Sequence, residues 1–398
     1  HILIMMYKIV FTGGGTAGHV VPNIAVMQKT NKYFDKTYYI GSDSGIEKSL
    51  IKPLDIPFYS VPCVKFSRDN FLKNLKIPFS LMSGVSAAKK ILKKIKPDVV
   101  FSKGGYVAVP VVLAAKSLGI PVVCHESDYS LGLANKLTAK FAKAVLTSFP
   151  SAAKGLKNGI FIGPPIKEFN SKNKRLAKQK FGFSGDKPLL LAFGGSQGAS
   201  AITAAVKKAA PLLENDFDIL LIAGKSVKEA RKTGSVYETP FISDMETAYS
   251  AADVALARCG SNSAFEILSL KIPVVFVPLK KGNSRGDQVM NAEYFLKSGN
   301  CLVLNESDLT EKSLAAYVNS AYRGLKRSQD RNDTKVFYRK THDTTDKTEK
   351  IANPTANSPE NFIDTSYINL RITDSSGEIA EILYNYAKNH NIKKCVKK

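Results

Sequence analysis

The sequence predicts an α/β protein made of two Rossmann-like, doubly wound domains that face a cleft. Three observations predict it. Apolar, strand-like runs alternate with helical segments, the pattern of a parallel sheet covered on both faces. The pattern restarts at Lys187 and so occurs twice. In both halves a glycine-rich loop directly follows a strand, as in "FTGGGTAGH" and "FGGSQGAS". A chain of 398 residues, 44% hydrophobic, is long enough for two cores.

In chain order, "YKIVFT" reads as a buried strand ending in a glycine loop and "VVPNIAVMQKT" as a helix. "TYYIGSDSG" is a second strand and loop. "SAAKKILKKIKPD" reads as a helix with Ala88, Ile91, Leu92 and Ile95 turned to the core and its lysines turned out. "KPDVVFSKGG" is a strand with a glycine turn, "VPVVLAAKSLG" a helix with a glycine stop, and "IPVVCHES" a strand. The Pro- and Lys/Asn-rich "GPPIKEFNSKNKR" suits a linker. The second half gives strand and loop in "KPLLLAFGGSQGAS", helix in "AITAAVKKAAPLL" and strand in "DILLIAGK". "ADVALARCGSNSAFEILSLKIPVVFVP" then supplies strand, loop, helix and strand. The expected domains are 1–163 and 164–327, then a polar, flexible insertion over 328–376. A terminal helix over 377–398, with Ile379, Ile382, Leu383 and Tyr386 on one face, should pack back on the body.

A net charge of +23 favours an anionic partner: nucleic acid, a membrane surface or a phosphate substrate. The plainer reading is a set of solvated lysine faces. Five scattered cysteines without a Cys-x-x-Cys argue against a zinc site and for a reducing cytoplasm. No apolar run is long enough to span a bilayer. The opening "HILIMMYKIVF" lacks the flanks of a signal peptide, and the natural start is expected nearer Met6.

Gly13, Gly15 and Gly18 satisfy G-x-G-x-x-G, and Asp43 follows the next strand, which supports a dinucleotide site. The same stretch fails as a P-loop, because His19 and Val20 replace the required Lys and Ser/Thr. Three glycine loops, "TGGGTAGH", "SKGGY" and "FGGSQGAS", offer helix N-termini and backbone N–H groups. That arrangement suits two phosphate-bearing ligands, one per domain. The alternative is that some glycines only let helices pack closely on the sheet. His19 is a candidate general base at a helix start, where the dipole should keep it neutral near pH 7, or else a structural histidine. His125 and Glu126 form a second candidate pair, or a structural strand end. No Asp-x-Asp motif accompanies the second-half loop, so no metal ligand is assigned.

Together "GGGTAGHVVP", "KPDVVFSKGGYVAVPVVLAAKSLGIPVVCHES", "GLANK", "FGGSQGA", "GSNSAFE" and "SRGDQVMNAEYF" resemble the MurG family, from about Tyr7 to Tyr322. The resemblance implies the GT-B fold and an inverting transfer of GlcNAc from UDP-GlcNAc to lipid I, giving lipid II. It implies a peripheral protein on the cytoplasmic face of the bacterial inner membrane. The implied donor set is Thr16, Ala17, Gly18, Lys167, Ser196, Gln197, Ile242, Ser261, Asn262, Ser263, Glu266 and Gln288. Within it Ile242 meets the uracil through its backbone, Glu266 the ribose hydroxyls and Gln288 the GlcNAc hydroxyls. A first-turn glutamate serving the helix dipole is the other reading of Glu266. Gly14, Gly15, Gly104, Gly105, Tyr106, His125 and Glu126 are assigned to the acceptor diphosphate.

Phe71, Leu75, Phe79 and Met82 fall on one helical stripe beside Lys73 and Lys76, a membrane patch unless the stripe faces the core. The implied partners are UDP-GlcNAc, lipid I and an anionic membrane surface, without nucleic acid. No cofactor is expected to bind tightly, and magnesium enters only as a stimulant from solution. Three departures stand out, the first being that "HESDYSLG" lacks the Asn seen in some members after His-Glu and the Thr-Pro seen in others. Lys167 replaces the family's usual Arg, keeping the charge and losing the bidentate fork. Arg258 precedes Cys259 where Ala or Ser is usual, and it counters diphosphate charge or is a plain surface cation. The alternatives are another GT-B sugar-nucleotide enzyme, such as an epimerase, or a degenerate, non-catalytic relative. A nucleic-acid-binding protein is disfavoured by the lack of an RRM, KH or helix-turn-helix signature. A nicotinamide enzyme is disfavoured by the second glycine-loop domain.

Overall fold

Apolar runs rich in Val, Ile and Phe become strands here because a parallel sheet covers them on both faces. The computed structural model describes residues 6–64, 77–170, 172–194, 199–280, 286–297, 299, 301–330, 372 and 374–396. The first sheet contains β1 (Lys8–Thr12), β2 (Lys36–Gly41), β3 (Phe58–Ser60), β4 (Val99–Ser102), β5 (Val122–Glu126), β6 (Ala144–Thr147) and β7 (Gly159–Phe161). All pair in parallel, in the order β3-β2-β1-β4-β5-β6-β7. Its helices are α1 (Ala17–Thr30), α2 (Ile46–Ile51), α3 (Ile77–Ile95), α4 (Ala108–Ser117), α5 (Leu133–Thr138) and α6 (Pro150–Ala153). α1 starts ahead of the helical segment read from the sequence and carries Pro22 inside it. That residue costs one helical hydrogen bond, and the buried Val20, Val26 and Met27 outweigh it.

The second sheet contains β8 (Leu189–Phe193), β9 (Asp218–Ile222), β10 (Arg231–Thr233), β11 (Val236–Thr239), β12 (Val254–Ala257), β13 (Val274–Phe276) and β14 (Leu302–Val303). Its order is β10-β11-β9-β8-β12-β13-β14. It is parallel except for the antiparallel β10–β11 hairpin, which turns through Gly234. The helices are α7 (Lys174–Gln179), α8 (Ser200–Leu213), α9 (Met245–Ala251), α10 (Ser261–Ser269), α11 (Asp287–Lys297) and α12 (Glu311–Asp330). Chain order reverses between β1 and β4 in one sheet and between β8 and β12 in the other. At such a switch point the loops leaving the two strands part in opposite directions and open a crevice beyond the carboxyl ends. The glycine loops after β1 and β4 lie at these ends, as does Gly194 after β8.

Alternation along the strands divides the first core. Ile9, Phe11, Phe101 and Val123 pack on one face, and Val10, Ile40, Val100 and Cys124 on the other. The second unit has a core built from β8, β9 and β12 under α8 and α12. Of the two compact units, one is His1–Glu168 with Thr373–Lys398 and the other is Phe169–Ile372. The first unit therefore runs to Glu168 and not to 163. The reason is that Ser375 Oγ donates to the Gly163 carbonyl at 3.0 Å and Ser375 N–H to Pro164 O at 3.0 Å. Most of the insertion read over 328–376 lies outside the described residues, although α12 continues to Asp330.

The last helix, α13 (Ser376–Val396), packs on α1. Ile379, Leu383 and Ala387 enter the first core, and Tyr384 stacks on Tyr33 at 5.1 Å and meets Tyr7 edge-on at 5.3 Å. Leu383→Ala should lower the stability of this unit by about 2–5 kcal/mol, the range for a buried Leu truncation. Urea unfolding followed by tyrosine fluorescence checks this, with the second unit's transition unmoved. A loss below about 0.5 kcal/mol would mean that α13 is not docked in solution.

Candidate active site

The two glycine loops of the first unit touch. A Cβ at Gly105 (φ +79°) would collide with the Gly14 carbonyl oxygen and lie 3.1 Å from His19 Cδ2. One at Gly15 (φ +89°) would lie 2.6 Å from the Tyr106 ring. Gly14, Gly15, Gly104, Gly105, Tyr106 and His19 therefore form one continuous floor over the ends of β1 and β4. His19 is half-buried in the first turn of α1. Thr16 caps that helix with extended backbone and no side-chain cap bond, and Thr16 and Gly18 are exposed, with Ala17 partly so.

Glu47, at the start of α2, braces this floor and was not read from the sequence. It is fully buried. Gly15 N–H donates to its Oε2 at 3.2 Å and Ser42 N–H to its Oε1 at 2.8 Å. A Cβ at Gly14 would stand 2.6 Å from the carboxylate, and one at Gly41 2.7 Å from Glu47 Cγ, so glycines make room for it. The Gly15 amide assigned to the acceptor diphosphate is thus occupied by Glu47. Deeper still, Tyr39 OH donates to Gly13 O at 2.6 Å, and Asn23 Nδ2 to Thr12 O at 3.3 Å and Tyr39 OH at 3.2 Å. Burial, then the charges of Cys63 and Glu47, push the Tyr106 phenol up, and burial pushes the Cys63 thiol up to about 11.

His125 and Glu126 stand differently from the diphosphate role expected of them. His125 is 0% exposed, its Nε2 lies 3.4 Å from Gly163 O, and burial holds its pKa well below the usual imidazole value. Its ring faces Phe101 inside the unit. Glu126 is buried and accepts from Asp128 N–H at 3.1 Å, Gly132 N–H at 2.8 Å and Asn135 Nδ2 at 2.9 Å. Burial first, then Asp128, raises its pKa. Both are framework groups that hold the β5 loop. Beside them Lys103, in "SKGGY", is 2% exposed and donates to Ser127 Oγ. Burial pulls its ammonium down to about 8, against the opposing charges of Glu126 and Asp128. It is a buried cation under the floor, and it too was not read from the sequence.

In the second unit, α10 begins after β12 with Gly260 at its cap, so Ser261, Asn262 and Ser263 form the first turn of the helix. Ser261 is buried, while Asn262, Ser263 and Glu266 are partly exposed. Glu266 Oε2 accepts from Tyr249 OH at 2.8 Å. Ile242 is partly exposed, on the loop after β11. Asp244 caps α9 by accepting Thr247 N–H at 3.1 Å, and pairs with Lys172 at 2.9 Å. Bonds from the Thr247 hydroxyl and from Lys172 hold the Asp244 carboxyl well below the usual range. Gln288 Oε1 accepts from Leu279 N–H at 3.0 Å. Arg258, read as a phosphate or surface cation, is neither: it is buried, pairs with Glu306, and donates to Val277 O at 3.1 Å. Lys167 is exposed near the end of the first unit.

Ser196 and Gln197 lie outside the described residues, as do Phe71, Leu75, Lys73 and Lys76. Phe79 and Met82 of α3 are 77% and 72% exposed, so the core-facing reading of that stripe fails for these two. Among the described residues no three His, Cys, Asp or Glu side chains cluster as a metal site, and no helix is long and apolar enough to cross a membrane.

The glycosyltransferase family 28 N-terminal domain matches residues 9–147, and the glycosyltransferase family 28 C-terminal domain matches residues 189–348. The UDP-N-acetylglucosamine–N-acetylmuramyl-(pentapeptide) pyrophosphoryl-undecaprenol N-acetylglucosamine transferase of Lachnospira eligens is 42% identical over 323 residues, 80% of this chain and 91% of its own. The protein of the same name from Oceanobacillus iheyensis is 41% identical over 317 residues, 78% of this chain and 89% of its own. The crystal structure of Acinetobacter baumannii MurG superposes with a TM-score of 0.64 at 22% identity, covering 95% of this chain and 99% of that one. At that identity it shows the fold alone.

Lys103 allows a test of the first unit's floor without any ligand. Its folded pKa is depressed from 10.5 to about 8, so between those values the unfolded chain holds a proton that the folded chain has released. Stability from this group is therefore fully present above pH 10.5 and lost as pH falls through 8. The span is roughly 3 kcal/mol. Denaturation curves from pH 7 to 10.5 should show this rise, and Lys103→Met should remove it. Parallel curves for the two proteins would mean an ordinary, solvated amine.

Proposed function

Because this chain belongs to the MurG family, the UDP-N-acetylglucosamine–N-acetylmuramyl-(pentapeptide) pyrophosphoryl-undecaprenol N-acetylglucosamine transferases, we infer that it moves GlcNAc from UDP-GlcNAc to lipid I to form lipid II. The acceptor is the MurNAc of undecaprenyl-diphospho-MurNAc-pentapeptide. The observation that carries this reading is 42% identity across 91% of a named transferase, which the fold alone would not supply. The same identity favours this reading over the epimerase and non-catalytic alternatives.

Inverting transfer forms one bond and breaks one. The acceptor hydroxyl oxygen bonds to the anomeric carbon while the bond from that carbon to the UDP oxygen breaks, and UDP leaves with the electron pair. The hydroxyl proton goes to a base, for which we propose His19. Its support is position: it stands in the glycine floor, at the edge where Gly105 and Gly14 meet. Thr16, Ala17 and Gly18 bring the helix N-terminus beside it. Gly14, Gly104, Gly105 and Tyr106 are the acceptor-diphosphate groups that the geometry leaves in the proposal.

On the donor side, the N-terminus of α10, with Ser261, Asn262 and Ser263, suits the UDP phosphates through the helix dipole. Glu266 takes the ribose hydroxyls, the Ile242 backbone the uracil, and Gln288 the GlcNAc hydroxyls; Ser196 and Gln197 complete the donor set by resemblance. Lys167 supplies a point charge to the diphosphate where an arginine would offer a fork. This scheme assigns no protein-bound metal; magnesium from solution would enter only as a stimulant, by offsetting diphosphate charge. We further propose a peripheral site of action on the cytoplasmic face of the inner membrane, with no nucleic-acid partner. Its support is the pair of exposed apolar side chains on α3 together with the exposed Lys90, Lys93 and Lys94 of that helix.

Radiolabelled UDP-GlcNAc and a lipid I analogue should yield a disaccharide-lipid product. His19→Ala should lower kcat by about two orders of magnitude or more, with the UDP-GlcNAc Kd little changed. A fall of less than about threefold would make His19 structural. Replacing Phe79 and Met82 together by Ser should weaken co-sedimentation with phosphatidylglycerol vesicles by roughly tenfold or more, since each apolar group is worth on the order of 1 kcal/mol at an interface. UDP-GlcNAc affinity should be spared. Equal vesicle binding by parent and variant would place the membrane contact elsewhere.

A further inference from the structure

Tyr249 lies within α9 and is 4% exposed. Its ring is held edge-on by Phe169 at 5.3 Å and by Phe193, the last residue of β8, at 6.3 Å. These contacts aim the phenol without help from solvent. Its hydroxyl donates to Glu266 Oε2 at 2.8 Å, across to α10. Burial first, then Glu266, raises the phenol well above its usual range, so it remains a donor throughout the working pH range. A phenylalanine would pack as well at this position. The hydroxyl therefore adds only what it does to the carboxylate.

Resting on the reading of Glu266 as the ribose ligand, we propose that Tyr249 is a positioning residue: its hydroxyl holds the Glu266 carboxylate in the orientation that accepts the vicinal ribose hydroxyls, and so sets the preference for a ribonucleotide donor over a 2′-deoxyribonucleotide. A glutamate side chain has three torsions to order before it can accept two hydroxyls at once, and ordering it beforehand lowers that cost of binding. An ionised carboxylate offers about four acceptor positions, and the bond from Tyr249 uses one of them to orient the group. The bond also leaves Glu266 tied to the second unit's interior through a rigid aromatic cluster, not through a solvated chain.

Calorimetry on the full chain with UDP and with 2′-deoxy-UDP tests this in the parent, Tyr249→Phe, Glu266→Gln and the double variant. Tyr249→Phe should raise the Kd for UDP about five- to tenfold and that for 2′-deoxy-UDP by no more than about twofold. In the Glu266→Gln background the same change should add nothing, because the partner is already altered. In turnover, KM for UDP-GlcNAc should rise while kcat stays within about twofold. The ring and its packing survive in Tyr249→Phe, and thermal unfolding of each variant verifies the fold. Equal losses for the two nucleotides, or additive losses in the double variant, would make the bond a packing feature and overturn the proposal. If Glu266→Gln leaves UDP affinity unchanged, the ribose role of Glu266 falls and this inference falls with it. Failure of Tyr249→Phe alone would leave the ribose role of Glu266 standing.

Discussion

The approach of two backbone loops governs the head of the first sheet. Gly105 stands so close to the Gly14 carbonyl that any side chain there would displace one loop, and Gly15 is as close to the Tyr106 ring. Parallel pairing of β1 with β4 creates that proximity, because adjacent parallel strands end at the same level. Once the loops touch, their amides and carbonyls need fixed partners, and those come from elsewhere: Glu47 for the Gly15 amide, Tyr39 for the Gly13 carbonyl. The half-buried His19 stands at this junction, in the first turn of α1 beside Gly105.

Charge is distributed in two ways in this protein. The excess of +23 is largely lysine, and on α3 it is solvent-exposed, where it can steer anionic substrates or surfaces over a distance. Buried charges are instead locked in place. Glu126 is held by three donors, Arg258 by Glu306 and a carbonyl, and Lys103 by Ser127. A buried ion must be paired or bonded, since its desolvation would otherwise cost several kcal/mol. These groups brace loops at strand ends, and they account for why net charge alone says little about which residues are free to meet an anion.

The two units solve the same problem with different material. The first uses glycine on both sides of its switch point. In the second, Gly194 after β8 is pressed against Ala199, while after β12 the chain passes through Arg258 and Cys259 to the start of α10. Asp244 and Lys172 fix the loop carrying Ile242 by capping α9, and Tyr249, on that same helix, reaches Glu266. One short helix thus links the loop expected at the base to the carboxylate expected at the ribose.

Local pattern was sufficient for the repeated strand–loop–helix units, for the glycine loops at strand ends, and for the family. Val99–Ser102 and Leu189–Phe193 are apolar at every position but Ser102, and only a strand buried on both faces explains such runs. The short β10–β11 hairpin was not read, because Arg231–Thr233 is exposed and carries no apolar alternation. In the first unit, histidine and glutamate types pointed to His125 and Glu126, and in the second unit a cationic type pointed to Arg258, yet each is buried among bonds within its own unit. Glu47, Lys103 and Tyr249 escaped notice for the converse reason. Their roles come from partners 32, 24 and 17 residues away in the chain. Side-chain periodicity is a property of neighbours along the chain, so sequence alone determined the elements and their order. Which polar group is bonded, aimed or entombed depends on residues that only the folded sheet brings within 3 Å, and that the tertiary structure alone decided.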